Sequence, residues 1–522
     1  MNKGQSQITF QNTYGSINGN QGNTVILTNS GGYAIAGWYD VESLFTAEFY
    51  LLVLDAEGDT LWTRTYGAAI DTSANFGANG SGNEGFSLIQ TSDDGFLFIG
   101  ERHDTQASPS DAYAIKIAAD GDLEWARLYG GFDDEYGYAV AESDNGDYAI
   151  GGFTETAGAG PRNMLLIKTN NFGDTLWTKI YGGSSIDAAT DMQQTIDGGY
   201  ILSGNSFSFG AGDSDMYVVR TDEDGNILWQ KTFGGELNDI CHAIARTEDG
   251  GFILCGESQN FGEGDTDIYL VKIDSNGNLQ WSKTYGGEGK EAGNSVSQTS
   301  DGGYIIAGYT REFGSGGEDF YLIRTNAQGE MLWAKTIGGT EDDAAQSVKQ
   351  AADGGYIITG YTRSFGAGFL DIYLVKTDSN GDSGDCTSFA NQTIENDAAT
   401  IETVAESIVV QGLELKQRPT LMGFTNTIIT SDNCFKVSTH NNNTLTFSIS
   451  PNPTTDVLHI IPNTDRLIKG QNISIYNYLG QTVMTFAESD NQQINVSQLP
   501  PGIFVLTLEI EEQLHTYKFV KQ

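Results

Sequence analysis

Short runs rich in β-branched and aromatic residues, each closed by a Gly-, Asn- or Asp-rich turn, fill the first 381 positions, and helical periodicity is absent from them. The runs repeat. An aromatic residue following a glycine-bearing turn stands at Tyr33, Phe96, Tyr148, Tyr200, Phe252, Tyr304 and Tyr356, at a step of 63 and then five steps of 52. Tryptophan keeps the same period at Trp62, Trp125, Trp177, Trp229, Trp281 and Trp333. In the sixth unit the pattern predicts four strands, over 294–299, 304–310, 319–325 and 331–337, with Asp301-Gly302-Gly303 as the first hairpin turn. Four short strands per unit, seven units of one length and a single 11-residue insertion between Ala68 and Gly85 predict an all-β chain whose main domain is a seven-bladed β-propeller.

The chain ends favour a closed ring over an open solenoid. The seventh unit stops at Asp378-Ser379-Asn380-Gly381, and Asp385 stands where its tryptophan would fall. Phe10-Gln11-Asn12-Thr13-Tyr14-Gly15 matches Trp62–Gly67 at the 52-residue offset, so the N-terminal strand is expected to complete the last blade. Such pairing hides sheet edges that a solenoid would have to cap. Composition shifts at the same place. Residues 1–381 hold 60 of 66 glycines and a net charge of −34 out of −42, so 8–381 is read as the propeller, 382–446 as a linker or small β module, and 447–522 as a C-terminal β-sandwich of Ig-like type. The acidity argues against nucleic-acid and anionic-membrane partners. No apolar run is long enough for a membrane-spanning helix, and a monomer is expected.

Polar positions recur with the units. Asn20, Asn83, Glu135, Asp187, Asp239, Glu291 and Asp343 open the predicted innermost strands and would ring one mouth of the central channel. Such a ring would suit a hydroxylated ligand, or Ca2+ as the one cofactor in view; the competing reading is that each group caps its own turn. A second acidic column (Glu48, Asp111, Asp215, Asp267, Asp319, Asp371, with Asn163) opens the third strands. Basic residues lie five further on (Lys116, Lys168, Arg220, Lys272, Arg324, Lys376) or follow the tryptophans, and ion pairing between blades is expected for both sets. Turns such as Asp274–Asn278 imitate a calcium loop, but Tyr285 occupies its twelfth position. The five histidines lack metal-ligand spacing, and no nucleophile-elbow, HExxH or phosphate-loop motif is present, so no catalytic residue or metal site is assigned. The insertion around Asp71–Glu84 and His103-Asp104 break the symmetry and mark the expected binding edge.

Two of four cysteines, Cys386 and Cys434, bracket β-prone runs; a disulfide there would add about 3–4 kcal/mol, the alternative being two free thiols. Cys241 and Cys255 fall at small-residue strand positions and read as buried thiols, a second disulfide being the alternative.

The repeat units resemble bacterial propeller repeats of the form DGGYIIAGYT…FGAG…DIYLVKTDSNGN…W.KTYGG over 8–381, a resemblance that speaks for fold and leaves function open. The last 76 residues resemble the type A C-terminal sorting domain of the type IX secretion system. They carry Pro451-Asn452-Pro453, the strand pair around Gly480, Leu499 with Gly502 and Phe504, and the terminal Lys518 and Lys521. That resemblance implies engagement of the type IX machinery and export to the outer surface of a Gram-negative cell, with removal of the domain and attachment or release. Met1–Gln7 has no apolar segment, so an export signal is expected upstream of, or trimmed from, this sequence. The functional expectation is an exported propeller that binds an extracellular glycan or protein for adhesion or substrate capture. The alternative is an extracellular hydrolase or lyase using carboxylates at the channel mouth.

Overall fold

The computed structural model describes residues 7–383 apart from 16–18, 42–45, 69–82, 104–108 and 367–368, and beyond 383 the strands named below with 496–500. The chain divides into two compact units, 1–438 and 439–522. Every described regular element is a strand.

Seven antiparallel sheets make up the first unit. In the fourth blade the strands run Asp187–Gln194, Tyr200–Ser206, Asp215–Thr221 and Ile227–Gly234 in spatial order from the axis outward, and the other blades repeat this meander. The last blade takes Asp343–Gln350, Tyr356–Thr362 and Asp371–Thr377 from its own unit and closes with Phe10–Tyr14, paired Phe10 to Lys376 through Tyr14 to Ile372. The ring is therefore shut by the N-terminal strand, as the 52-residue offset predicts.

Each sheet has a fifth strand. All seven come from residues 387–432, within the stretch expected to be a linker or small β module. This segment belongs to the propeller's sheets and caps the outer edge of every blade, which removes the unpaired ladder that an edge strand exposes. Cys386 and Cys434 lie just outside the described residues.

Sequence periodicity becomes packing between blades through two contacts. The tryptophan of the outer strand in the first six blades, and Phe10 in the seventh, lies against the glycine in the next blade's third-to-fourth turn. Gly277 has φ +77°, and a Cβ there would sit 2.8 Å from the Trp229 ring, so only glycine serves both the turn and the contact. Tyr14, Tyr66, Tyr129, Tyr181 and Tyr285 donate their hydroxyls to the carbonyls of Gly58, Gly121, Gly173, Gly225 and Gly329 at 2.5–2.9 Å. The glycine excess is thus largely an excess of turns built to receive an aromatic neighbour.

The basic columns divide in two. Residues following the tryptophans reach the next blade, as Arg64 does to Asp122 (2.7 Å) and Lys179 to Asn226 (3.1 Å). Those five on from the third-strand acids turn back inside their own blade to its first turn, Lys116 to Asp93, Arg220 to Asp197, Lys272 to Asp249, Arg324 to Asp301 and Lys376 to Asp353, while Lys168 meets the Ser143 hydroxyl there. For this second set the expected pairing between blades is corrected. Because successive strands of the meander run antiparallel, the first turn and the end of the third strand fall at the same face. Cys241 and Cys255 are free and fully buried, packed in different core clusters.

The second unit contains two antiparallel sheets. One joins Phe447–Ser450, Val457–Pro462 and Gln493–Asn495; the other runs Thr482–Ser489, Gln471–Asn477, Gly502–Ile510, Gln513–Lys521. Ile475, Ile494, Val496, Leu499, Phe504 and Leu506 are buried. Of the sorting-domain residues, Gly502 opens a strand, Lys518 and Lys521 lie in the last one, and Pro451, Asn452, Pro453 and Gly480 fall outside the described residues.

Candidate functional site

The expected ring of polar groups is buried. Glu135, Asp187, Asp239, Glu291 and Asp343 expose no surface. Each accepts the N–H of the glycine four residues before it, from Gly131, Gly183, Gly235, Gly287 and Gly339 at 2.6–3.0 Å. Thr154, Ser206 and Thr310 add hydroxyl donors to Glu135, Asp187 and Glu291 at 2.5–2.8 Å, and Ser208, Asn260 and Ser364 donate to Asp187, Asp239 and Asp343 at 2.7 Å. Asn20 is likewise buried and donates its N–H to the Leu370 carbonyl (2.7 Å); Asn83 pairs with Arg102 in the ladder, its side chain lying outside the described residues. These groups tie each link between blades to the loop after the second strand, and present no carboxylate to the channel mouth. The third-strand acids do similar work: Asp215, Asp267 and Asp319 accept two N–H groups each from the loops before them. Among the described residues no cluster of three or more His, Cys, Asp or Glu side chains is arranged to hold a metal ion.

Burial of these acids has a measurable consequence. Burial pushes the Asp239 carboxyl up to about 6, helped by the nearby Asp215 and opposed by Ser258, Gly235 and Asn260; it also raises Glu135, Glu291 and Asp343. An unfolded aspartate titrates near 3.9, so between about pH 6 and 4 the folded state holds the proton more tightly. Stability is expected to rise as the pH falls from 7 to 5, and Asp239→Asn is expected to flatten that rise, read as the urea midpoint at the two pH values.

The channel differs from blade to blade. Every inner strand carries a bulge at its fourth residue, seen as a register shift such as that between Ala189 and Asp191, and a bulge re-aims a side chain. The seven residues at that position, Asn23, Phe86, Tyr138, Thr190, His242, Asn294 and Gln346, all line one cavity of about 630 Å³ on the propeller axis. Where the core positions of the units repeat, this one varies in every blade but two. On one side Phe86 and Tyr138 lie 4.7 Å apart, and Tyr138 continues to Phe153 (5.9 Å), which stacks on Tyr136 at 4.7 Å and carries the Arg162 guanidinium 4.0 Å from its ring centre. On the other side the wall is polar.

Part of that polar wall is committed to the fold. Asn23, Thr190 and Asn294 donate to the Gly85, Cys241 and Ala345 carbonyls of the next blade at 2.7–2.9 Å. Asp191 accepts the N–H groups of Ile244 (2.9 Å) and Met192 (2.7 Å). Burial pushes its carboxyl up to about 6 against those donors and the Lys349 charge. Burial lowers Lys349, which Asp191 partly offsets, and lowers His242, which Glu257 offsets. The side chains of His242, Gln346 and Lys349 line the cavity half-buried, where water or a ligand can reach them, and make no hydrogen bond to another described residue. None of the lining groups was singled out in the sequence; the available signal was variation at one fixed position of an otherwise regular repeat. Of the expected binding edge, residues 69–82 and 104–108 and the His103 side chain lie outside the described residues.

Comparison with known proteins bears on the ends of this picture. Residues 448–522 match the family described as the secretion system C-terminal sorting domain. The regulatory protein FlaEY of Caulobacter vibrioides is 23% identical over 233 residues, which are 38% of this chain and 24% of that protein, so the match spans about a quarter of the relative's length. Among solved structures, Sqt1 from Chaetomium thermophilum covers 73% of this chain and 87% of its own at 11% identity and TM-score 0.40. PorZ, a surface component of the type IX secretion system of Porphyromonas gingivalis, covers 98% and 100% at 9% identity and TM-score 0.19. The extracellular domain of the hybrid two-component system BT4673 of B. thetaiotaomicron covers 97% and 75% at 10% identity and TM-score 0.20. At those scores the propeller assignment rests on this chain's own strand pairing.

Proposed function

We propose that this chain, a seven-bladed propeller followed by a type IX secretion sorting domain, works outside the cell as a binding protein whose central channel takes a neutral, hydroxyl-rich ligand of the glycan class. One observation carries the reading: the bulge position on the channel wall changes chemistry from blade to blade, from Phe86 and Tyr138 to His242 and Gln346, at one fixed place in the repeat. Its aromatic side, Phe86 and Tyr138, offers faces for sugar rings. Its polar side sets the Asp191 acceptor and the accessible His242, Gln346 and Lys349 side chains against hydroxyls, which both donate and accept. Adhesion or substrate capture at the surface would follow. The hydrolase or lyase alternative loses its basis at the ring, because those carboxylates are buried.

A glycan and protein panel, run with and without chelator, tests the reading. Neutral oligosaccharides are expected to be retained in both conditions, and Lys349→Met is expected to weaken them about tenfold, or about 1.4 kcal/mol. Retention of proteins alone would overturn the glycan class, and turnover of a polysaccharide would restore the enzyme. Export has a separate check. The intact mass of protein taken from the native cell surface is expected to lack the sorting domain, and a mature chain still carrying Phe447–Gln522 contradicts its removal.

A further inference from the structure

Neighbouring blades are locked at their first turns by one recurring contact. The last residue of an inner strand reaches the preceding blade, where its side-chain oxygen accepts the N–H of the second residue in the first turn. Gln90 does this for Asn29, Glu142 for Ser92, Gln298 for Glu248 and Gln350 for Ser300, at 2.7–2.8 Å. Glu142 also accepts the Ser92 hydroxyl at 2.7 Å. The spacing is 50 residues, or 61 across the insertion. Between the fourth and fifth blades the same spacing pairs Ile196 with Arg246, and a guanidinium has donors only, so the lock cannot form there. Arg246 instead gives one N–H to the Gln194 carbonyl of the fourth blade at 3.1 Å, and among the described residues it makes no ion pair.

A groove of about 580 Å³ opens at this junction, lined by Ile196, Leu228 and Trp229 of the fourth blade and by Arg246 and Glu248 of the fifth. Ile196 is 92% exposed. The corresponding turn residues are Asn29, Ser92, Asp144, Glu248, Ser300 and Ala352, so no other blade puts a branched aliphatic side chain there. Leu228 adds a second exposed aliphatic surface to the same groove. The charges nearly balance. Asp197 is taken by Arg220 at 2.5 Å, which leaves the cation of Arg246 and the exposed carboxylate of Glu248. A ligand with one negative charge suits such a groove, whereas a polyanion would meet Glu248 and the field of a chain at −42.

We propose that this groove binds a carboxylate carried on a branched aliphatic body, the chemistry of a peptide's free C-terminal leucine, isoleucine or valine. The protein's own junction of the second and third blades is the template. The ligand carboxylate takes the place that the Glu142 carboxylate holds against Ser92, accepting the Ile196 N–H, and Arg246 adds charge-assisted hydrogen bonds. The aliphatic side chain covers Ile196 and Leu228, apolar surface otherwise left in water. Backbone N–H groups capture chain-terminal carboxylates in other proteins, so the chemistry has a general basis. The groove continues to Ser275 and Asn276, which leaves room for the residues before the terminus. This site needs no sugar and is independent of the glycan reading, although Arg246 borders both the channel and the groove.

Calorimetric titration of the full chain with N-acetyl-Gly-Gly-Leu, as the free acid and as the C-terminal amide, tests the site. The free acid is expected to bind at least about tenfold more tightly than the amide. Arg246→Gln installs the acceptor that three other junctions use, so it is expected to abolish that preference while its urea midpoint equals or exceeds that of the wild type. Ile196→Ser is expected to weaken the free acid about fivefold and leave the preference for acid over amide in place. Isocaproate bound as tightly as the peptide keeps the site and makes a free aliphatic acid its ligand. Equal binding of acid and amide, binding of neither, or a preference that survives in Arg246→Gln overturns the site. Glucuronate bound as tightly as the peptide overturns its aliphatic half.

Discussion

Deleting residues 1–14 is expected to unfold the propeller, although it removes fewer than one residue in thirty. Phe10–Tyr14 is buried along its whole length, between Asp371–Thr377 on one side and Thr430–Asp432 on the other. Gln11 donates to Ser383 and receives the Tyr373 hydroxyl, and Tyr14 reaches the first blade through Gly58 (2.7 Å). The rings of Phe10 and Tyr14 alone account for about 3–6 kcal/mol of burial, against a net domain stability of about 5–15 kcal/mol. Loss of the strand also opens the ladders of its two neighbours. Point changes keep the idea testable if the truncated chain cannot be purified. Tyr14→Ala is expected to cost about 3–5 kcal/mol, and Tyr14→Phe only about 1 kcal/mol. The protein itself places Phe233 and Ile337 at the equivalent positions of other blades, so the hydroxyl is an addition to the packing. Equilibrium urea unfolding followed by tryptophan fluorescence reads both, and an unchanged midpoint for the truncated chain contradicts the closure.

The second large effect is an asymmetry inside one ion pair. Lys272 is 3% exposed and Asp249, its partner at 3.0 Å, is 52% exposed. Burial works against the Asp249 charge, yet hydrogen bonds from Thr247, Gly251 and Lys272 hold the carboxyl below the usual carboxylate range. Removing the aspartate leaves a buried ammonium with only the Ile273 carbonyl (3.1 Å), whereas removing the lysine leaves a carboxylate that water can reach. Asp249→Ala is therefore expected to destabilise by about 2–3 kcal/mol and Lys272→Met by less than about 1 kcal/mol, the partner's exposure having been discounted. Equal losses in thermal or urea unfolding would contradict the asymmetry.

The architecture was legible because each blade must solve the same packing problem, and the solution leaves a residue signature. Trp229 and Gly277 lie 48 residues apart in the chain and in contact in the fold, and the same pair recurs from blade to blade. The capping segment was not legible for the opposite reason. Its strands supply backbone hydrogen bonds to an existing edge, and a ladder of N–H and C=O groups makes no demand on side-chain identity, so 387–432 shows β-prone runs without a repeat. The acidic positions drew attention because they recur, and recurrence is what a structural role produces: Asp187 and Asp343 fasten equivalent turns in equivalent ways. The channel residues stood in plain view at one position of the repeat. His242 and Gln346 differ in chemistry from Phe86 and Tyr138, and it is that disagreement, at a bulge aimed at the axis, on which the proposed site rests.

The central claim is that ligand binding belongs to the variable channel wall, and that the recurrent acids serve the fold. Titrating a neutral oligosaccharide retained by the panel into the wild type, Tyr138→Ala and Asp187→Asn tests it most directly, with circular dichroism confirming that each variant is folded. The account predicts at least about tenfold weaker binding for Tyr138→Ala, and for Asp187→Asn an affinity within about twofold of the wild type alongside a lower urea midpoint. Unchanged binding by Tyr138→Ala together with loss of binding in a folded Asp187→Asn would contradict it.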